Sequence, residues 1–295
     1  MSEARIGVIG GSGLYRMEGM TGVEELKVGT PFGEPSDAVV LGDLGGVRVA
    51  FLPRHGRGHR ISPGELPAKA NIYALKSLGV ERIISVVAVG SLKEQIAPLD
   101  VVIPDQLIDC TKARASTFFA GGIVGHISLA EPFCPVLSQI LFKATIGAGT
   151  KVHKGGIYLA MEGPQLSTKA ESRLYRSWGA DIIGMTAVPE AKLAREAEIC
   201  YAALALVTDY DCWHLDYESV TTEMILTNLR SCVDTVKEVL KLLIPSIPQE
   251  RDCACASALK YALVTGTKYI PEGKKKELGL LIGKYLGKEK DVSQT

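Results

Sequence analysis

The chain has 295 residues, 33 Lys and Arg against 33 Asp and Glu, and 46% hydrophobic residues. That length buries a sizeable core without covalent staples. The charge balance excludes a wholesale polyanion binder, whose affinity comes from clustered phosphate neutralisation. The longest apolar runs, 83–89 and 199–207, fall short of the ~20 residues a membrane-spanning helix needs. No apolar h-region with a cleavage site follows Met1, so the expected location is the cytoplasm.

In chain order, a strand at Ile6-Gly7-Val8-Ile9 runs into Gly10-Gly11-Ser12-Gly13-Leu14. Strands follow at 38–41 and 47–52, then a helix at 67–78, with Ala68, Ile72, Leu75 and Leu78 at helical spacing. The run 83–89 is apolar on both faces, as in a central strand covered on each side. A short strand at 101–103 ends at Pro104. Helical patterns at 135–147, 169–178, 188–198 and 222–243 then alternate with strands at 155–160, 181–184 and 200–208. This alternation predicts an α/β layer fold, with loops at strand ends carrying the chemistry. After Pro245 and Pro248 the pattern loosens, and 274–290 reads as a peripheral amphipathic helix. The expected organisation is one domain over 1–245 and a C-terminal appendage over 246–295.

Four segments have the chemistry of a site. Gly10–Leu14 suits either a phosphate cradle of backbone N–H groups plus the Ser12 hydroxyl, or a bare turn. Arg16 stands where a dinucleotide fingerprint needs a small residue, and no Gly-Lys-Ser/Thr follows, so neither a Rossmann loop nor a P-loop is present. Pro53-Arg54-His55-Gly56-Arg57-Gly58-His59-Arg60 places five cationic or titratable side chains in eight residues after a strand. Arg offers a planar fork matched to phosphate, which favours an oxyanion site over a solvated basic loop. Gly184-Met185-Thr186 follows another strand and is uninformative alone. Thr208-Asp209-Tyr210-Asp211 ends the apolar run at 200–207; its carboxylates suit a desolvated proton donor or a structural cap. No His or Glu accompanies them at ligand spacing, so no metal is expected there.

Seven motifs occur in register: Gly-Gly-Ser-Gly-Leu at 10–14, Pro-Arg-His-Gly at 53–56, Ala-Val-Gly-Ser-Leu at 88–92, Ala-Glu-Pro-Phe-Cys at 130–134, Met-Glu-Gly-Pro at 161–164, Gly-Met-Thr-Ala-Val-Pro-Glu at 184–190 and Thr-Asp-Tyr-Asp at 208–211. Together they resemble the methylthioadenosine phosphorylases of the purine nucleoside phosphorylase superfamily, over roughly residues 4–245. The resemblance implies a single α/β domain with a mixed, partly barrel-like sheet flanked by helices, assembled as a homotrimer or a dimer of trimers. It implies phosphate binding by Ser12, Arg54, His55, Thr186 and the backbone of Ala88, and ribose packing by Met185. Asp209 would be the general acid at purine N7, Asp211 the acceptor facing the 6-amino group, and Ser167 part of the purine pocket. His126 would reach a neighbouring protomer's site, unless it is simply a surface histidine. The implied reaction is reversible phosphorolysis of 5′-methylthioadenosine, in purine and methionine salvage. Phosphate is then both nucleophile and counter-charge, so no metal or organic cofactor is expected. Carboxylates at both 209 and 211 favour 6-aminopurines over 6-oxopurines by hydrogen-bond matching.

The sequence departs from the family at Val87 (often a hydroxyl), Gln165 (usually Arg), Leu166 (usually aromatic) and Thr222 (usually small and apolar). Thr222 could admit a 5′-hydroxyl, although Val220, Ile225 and Leu226 keep its surroundings apolar. The alternatives are therefore a phosphorylase acting mainly on adenosine or inosine, a hydrolytic nucleosidase, and a non-catalytic adenine-nucleoside binder. The seven cysteines are too few for a disulfide scaffold. Cys253-Ala254-Cys255 is followed by no second pair, which argues against zinc. It resembles a CXC element of a hyperthermophile branch of the family, and that analogy makes Cys134–Cys200 a candidate disulfide.

Overall fold

Strict alternation on two long strands builds the core on both sides of one sheet. The computed structural model describes residues 4–11, 19–214 and 222–287. Its strands are β1 (Ile6–Gly10), β2 (Thr21–Leu26), β3 (Val39–Leu44), β4 (Val47–Pro53), β5 (Arg82–Ser91), β6 (Val101–Ile103), β7 (Gln106–Asp109), β8 (Val152–Lys154), β9 (Ile157–Ala160), β10 (Ile182–Gly184) and β11 (Cys200–Asp209). The helices are α1 (Ala68–Ser77), α2 (Pro135–Gly147), α3 (Lys169–Ser177), α4 (Ala187–Glu196), α5 (Thr222–Ser246), α6 (Glu272–Glu277) and α7 (Gly279–Leu286). All eleven strands join one mixed sheet. On β5 and β11, Ile83, Val87, Val89, Tyr201, Ala203, Ala205 and Val207 face α1 and α4. Ile84, Val86, Ala202, Leu204 and Leu206 face α2 and α5. The two-residue period of a strand makes both sets apolar, so the central strands are buried on both faces. The α/β class and the mixed sheet flanked by helices agree with the sequence reading.

The path of β5 positions the site. Along one edge it pairs in parallel with β11 from Arg82 to Gly90. Along the other it pairs in parallel with β1 over 82–85, and then with antiparallel β10 at Gly90 and Ser91. Between β1 and β10 the edge of β5 is open, and alternation directs the amide and carbonyl of Ala88 into that gap.

Three short strands, β2, β7 and β8, had no clear signal in the sequence. The expected helix at 274–290 is instead two helices, α6 and α7, hinged at Leu278 (φ −99°, ψ 6°); residues 288–290 lie outside the described residues. Gly279 follows that hinge, and glycine is a poor helix former. The segment after α5 folds back on the core, where Cys255, Leu259, Ile270, Leu278, Leu281 and Ile282 are buried. Among the described residues, no helix is long and apolar enough to cross a membrane.

Candidate active site

The carboxyl ends of the parallel strands β1, β4, β5 and β11 gather the predicted residues, the usual place for a ligand in an α/β sheet. Gly10 closes β1, and its carbonyl accepts from the Arg54 amide at 3.0 Å. Ser12 lies outside the described residues, as do the side chain of Thr222 and all of Val220.

Arg54 is almost fully buried. Its Nε and Nη2 donate to Glu190 Oε1 and Oε2 at 2.6 and 3.1 Å, Nη2 also to Ser85 Oγ at 2.6 Å, and Nη1 to the Val86 carbonyl at 2.8 Å. Burial alone would lower its pKa; the charge and hydrogen bonds of Glu190 outweigh this and hold it above the ordinary value. Glu190 also accepts from Ser85 Oγ and Tyr201 Oη, each at 2.9 Å. The fork therefore grips a carboxylate, and Arg54 is first a fixed, internally neutralised charge at the foot of the open β5 edge.

His55 follows at the mouth of the same edge. Its Nδ1 lies 2.8 Å from the Ile61 carbonyl. A carbonyl only accepts, so Nδ1 bears the hydrogen and Nε2 presents a lone pair. Burial, then the nearby Arg54 charge and the His59 ring stacked at 4.2 Å, brings its pKa down to about 4 against the ordinary 6.5. The imidazole is neutral at pH 7.

Thr186 is buried at the start of α4, and its amide donates to Tyr158 Oη at 3.3 Å. Val188 departs from helical geometry (φ −110°, ψ 131°), in the extended region that the ring of the following Pro189 favours. Residues 185–188 thus form a bent entry to α4 that keeps Thr186 beside the gap. Gly184 is obligatory, since a Cβ there would lie 2.1 Å from Tyr158 Oη. Met185 packs on Gly163, whose φ of +65° and missing Cβ both admit the contact.

Asp209 ends β11 after a bulge opposite Gly90. Its Oδ2 accepts from Thr208 Oγ1 at 2.7 Å and its Oδ1 from the Asp211 amide at 2.8 Å. Asp211 sits at φ +50°, a conformation Asp tolerates, and this turn brings its amide back. Burial pushes the Asp209 carboxyl up, against the two hydrogen bonds, and the Asp211 charge adds to the rise. Burial also pushes Asp211 up, against the Ser172 and Ser167 hydroxyls. A Cβ on Gly90 would stand 2.9 Å from Asp209 Oδ1, so Gly90 makes room for the carboxylate. Arg54 meets β5 at Val86 and Asp209 meets it at Gly90; four residues of strand separate them, about 13 Å, with Ala88 midway.

Ser167 lies near Asp211, its carbonyl accepting from Cys212 Sγ at 3.3 Å. Gln165 and Leu166 are exposed beside it. His126 is placed apart: Gly125 bridges Leu263 and the His126 amide donates to Ala262 at 2.8 Å. Among the described residues, no hydrogen bond ties His126 to the Arg54 or Asp209 groups. A cleft of about 350 Å³ opens near α1, lined in part by Arg114 and Pro189. The aspartates and His55 do not line it, so the chemistry marks the site better than this hollow.

Sequence reasoning assigned no role to three residues that hold this arrangement. Glu190 was visible only as the end of a motif. Buried Arg114 donates to the carbonyls of Met185, Val188 at 2.8 Å and Glu162 at 2.5 Å, tying the loops at 161–163 and 185–188 together. Asn228 of α5 donates to the Thr208 carbonyl at 2.7 Å and fixes the strand end that carries Asp209. No periodicity or spacing marks such long-range partners.

The disulfide suggested by analogy, Cys134–Cys200, is not formed; all seven cysteines are free. Cys200 Sγ lies instead 3.3 Å from Cys253 Sγ, well beyond a covalent bond.

The sequence profile of the Phosphorylase superfamily matches residues 5–245. An S-methyl-5′-thioadenosine phosphorylase of Geobacter sulfurreducens is 55% identical over 285 residues, 96% of this chain and 100% of that protein. One of Koribacter versatilis is 54% identical over 288 residues, 98% of this chain and 99% of that protein. Among solved structures, a methylthioadenosine phosphorylase from an Antarctic soil metagenomic library superposes with a TM-score of 0.92 at 51% identity, covering 95% of this chain and 99% of that one. A mutant adenosine/methylthioadenosine phosphorylase of Schistosoma mansoni, in complex with methylthioadenosine, superposes with a TM-score of 0.78 at 38% identity, covering 84% and 93%. With this similarity over nearly its whole length, the chain belongs to the phosphorylase superfamily, in the S-methyl-5′-thioadenosine phosphorylase family.

Proposed function

We propose that the protein catalyses reversible phosphorolysis of 5′-methylthioadenosine to adenine and 5-methylthioribose 1-phosphate, a pentosyl transfer. The observation that carries this reading is buried Asp209 at the end of β11, paired with Gly90 of β5, two residues beyond Ala88, whose backbone faces the open edge. Phosphate sits in that gap, on the Ala88 amide, Thr186, His55 and the Ser12 hydroxyl, above the fixed Arg54–Glu190 pair. A phosphate oxygen bonds to C1′ as the C1′–N9 bond breaks, and the electron pair leaves on the purine. Asp209, which burial keeps protonated to higher pH than an exposed Asp, donates its proton at N7. Asp211 accepts from the 6-amino group, Ser167 borders the base and Met185 packs on the ribose. Thr222 borders the 5′ substituent. The phosphate dianion stabilises the ribosyl cation character of the transition state, so the reaction needs no organic cofactor.

Neutral His55 fits this scheme. Its Nε2 lone pair accepts the proton of a bound monoanion, and the arriving negative charge raises its pKa. Because the Schistosoma relative is an adenosine/methylthioadenosine phosphorylase, adenosine is the natural second substrate. We further propose a cytoplasmic homotrimer or dimer of trimers acting in purine and methionine salvage. Exposed Val124 and Val264 flank the Gly125–Leu263 bridge and suit burial against a second copy, which would carry His126 to its neighbour's site. Adenine release from 5′-methylthioadenosine with and without inorganic phosphate, beside adenosine, inosine and guanosine, tests the function. Phosphate-dependent release confined to 6-aminopurines is expected; release without phosphate would make the protein a nucleosidase. Sedimentation analysis tests the assembly, and a monomer would refute it.

A further inference from the structure

The CXC element lacked a second cysteine pair in the sequence, and folding supplies one. Cys134 caps the N-terminus of α2 and Cys200 opens β11. Cys253 and Cys255 lie at the start of a 3-10 turn, Ala254–Ser257, in the segment after α5. The four Sγ atoms all lie within 4.8 Å of one another, and three of the four residues are buried. A tetrahedral Zn²⁺ with Zn–S bonds of about 2.3 Å has sulfur–sulfur edges of about 3.8 Å. The 3.3 Å separation of Cys200 and Cys253 and the 4.8 Å outer limit bracket that edge.

The surroundings suit an anionic tetrathiolate. The Leu137 amide, in the first turn of α2, donates to Cys134 Sγ at 3.5 Å, and Arg195 Nη1 donates to Cys255 Sγ at 3.5 Å. A helix N-terminus and a guanidinium each favour thiolates. Such N–H···S bonds also orient the ligands of a metal site. The ligand backbones are held as well: the Cys134 amide donates to Tyr201 O at 2.7 Å and the Cys200 amide to Glu81 O at 2.9 Å.

We propose that Cys134, Cys200, Cys253 and Cys255 form a closed structural Zn²⁺ site that clips the segment after α5 to the sheet. Zn²⁺ and four thiols give a zinc tetrathiolate of net charge −2 and four released protons. Four protein ligands complete the tetrahedron and leave no open position, so the ion has no part in phosphorolysis. This site revises our expectation, drawn from sequence spacing, of a chain without metal.

The test uses the full-length, untagged chain purified without chelator or added metal. Elemental analysis is expected to find about one zinc per chain, and titration with an organomercurial should release it. Reduced protein stripped of metal should bind Co²⁺ with the intense visible bands of tetrahedral cobalt thiolate. C253S/C255S should lose both signals, and the wild type alone decides the matter if that variant fails to fold. Reduced wild-type protein that binds neither ion overturns the proposal. So does non-reducing peptide mapping that finds Cys134–Cys200 or Cys253–Cys255 oxidised in freshly purified protein. One equivalent of iron or copper in place of zinc overturns the assignment of the metal.

Discussion

Glu190 offers the sharpest test of how the site is held. It is buried and accepts from both arms of the Arg54 fork, from Ser85 and from Tyr201, at 2.6 to 3.1 Å. Glu190→Gln keeps the shape but removes the charge and turns one oxygen into a donor facing other donors. Arg54 cannot shed its proton and would be left as a buried, unpaired cation. Breaking a buried pair from one side costs about 3–5 kcal/mol. At about 2–4 °C per kcal/mol for chains of this size, the melting temperature should fall by roughly 6–20 °C. Thermal and urea unfolding would measure the loss, and phosphate KM would report the displaced Arg54. The double variant R54M/E190L should recover much of the stability, because it removes both charges, yet remain inactive. A loss below about 1 kcal/mol in Glu190→Gln would refute the claim that Arg54 is neutralised internally.

Further predictions follow the same geometry. Asp209→Ala should lower kcat/KM by roughly 10²–10⁴-fold with unchanged circular dichroism, and wild-type turnover would remove Asp209 from its role. Asp209→Asn should move activity toward 6-oxopurines; an unchanged preference would sink the hydrogen-bond argument. His55 has a folded pKa of about 4 against an ordinary 6.5, so the unfolded chain takes up its proton first as pH falls. Its contribution to stability is present above pH 6.5 and is lost as pH falls toward 4. Accordingly, His55→Asn should flatten the acid side of a plot of urea midpoint against pH, and saturating phosphate should raise the His55 pKa by NMR. Gly184→Ala places a Cβ 2.1 Å from Tyr158 Oη, a clash expected to cost about 1–3 kcal/mol or more, measurable as a lower urea midpoint.

The sequence by itself determined which strands lie at the centre, because the runs at 83–89 and 200–207 are apolar on both faces, with Ser85 the one hydroxyl among 83–89, and only a doubly covered strand needs that. It also marked the loops at strand ends where Arg54, His55, Asp209 and Asp211 stand, since charged and titratable side chains cluster there directly after apolar strands, whereas Thr186 was legible only through the family resemblance. Short β2, β7 and β8 were not legible, because their pairing partners rather than their own composition make them strands. The tertiary structure alone decided that Arg54 grips Glu190, 136 residues away, and that Arg114 ties two loops together. It alone gathered four cysteines around one point. Partners so distant along the chain share no local period. Their meeting is set by sheet register and by the open edge of β5 between β1 and β10.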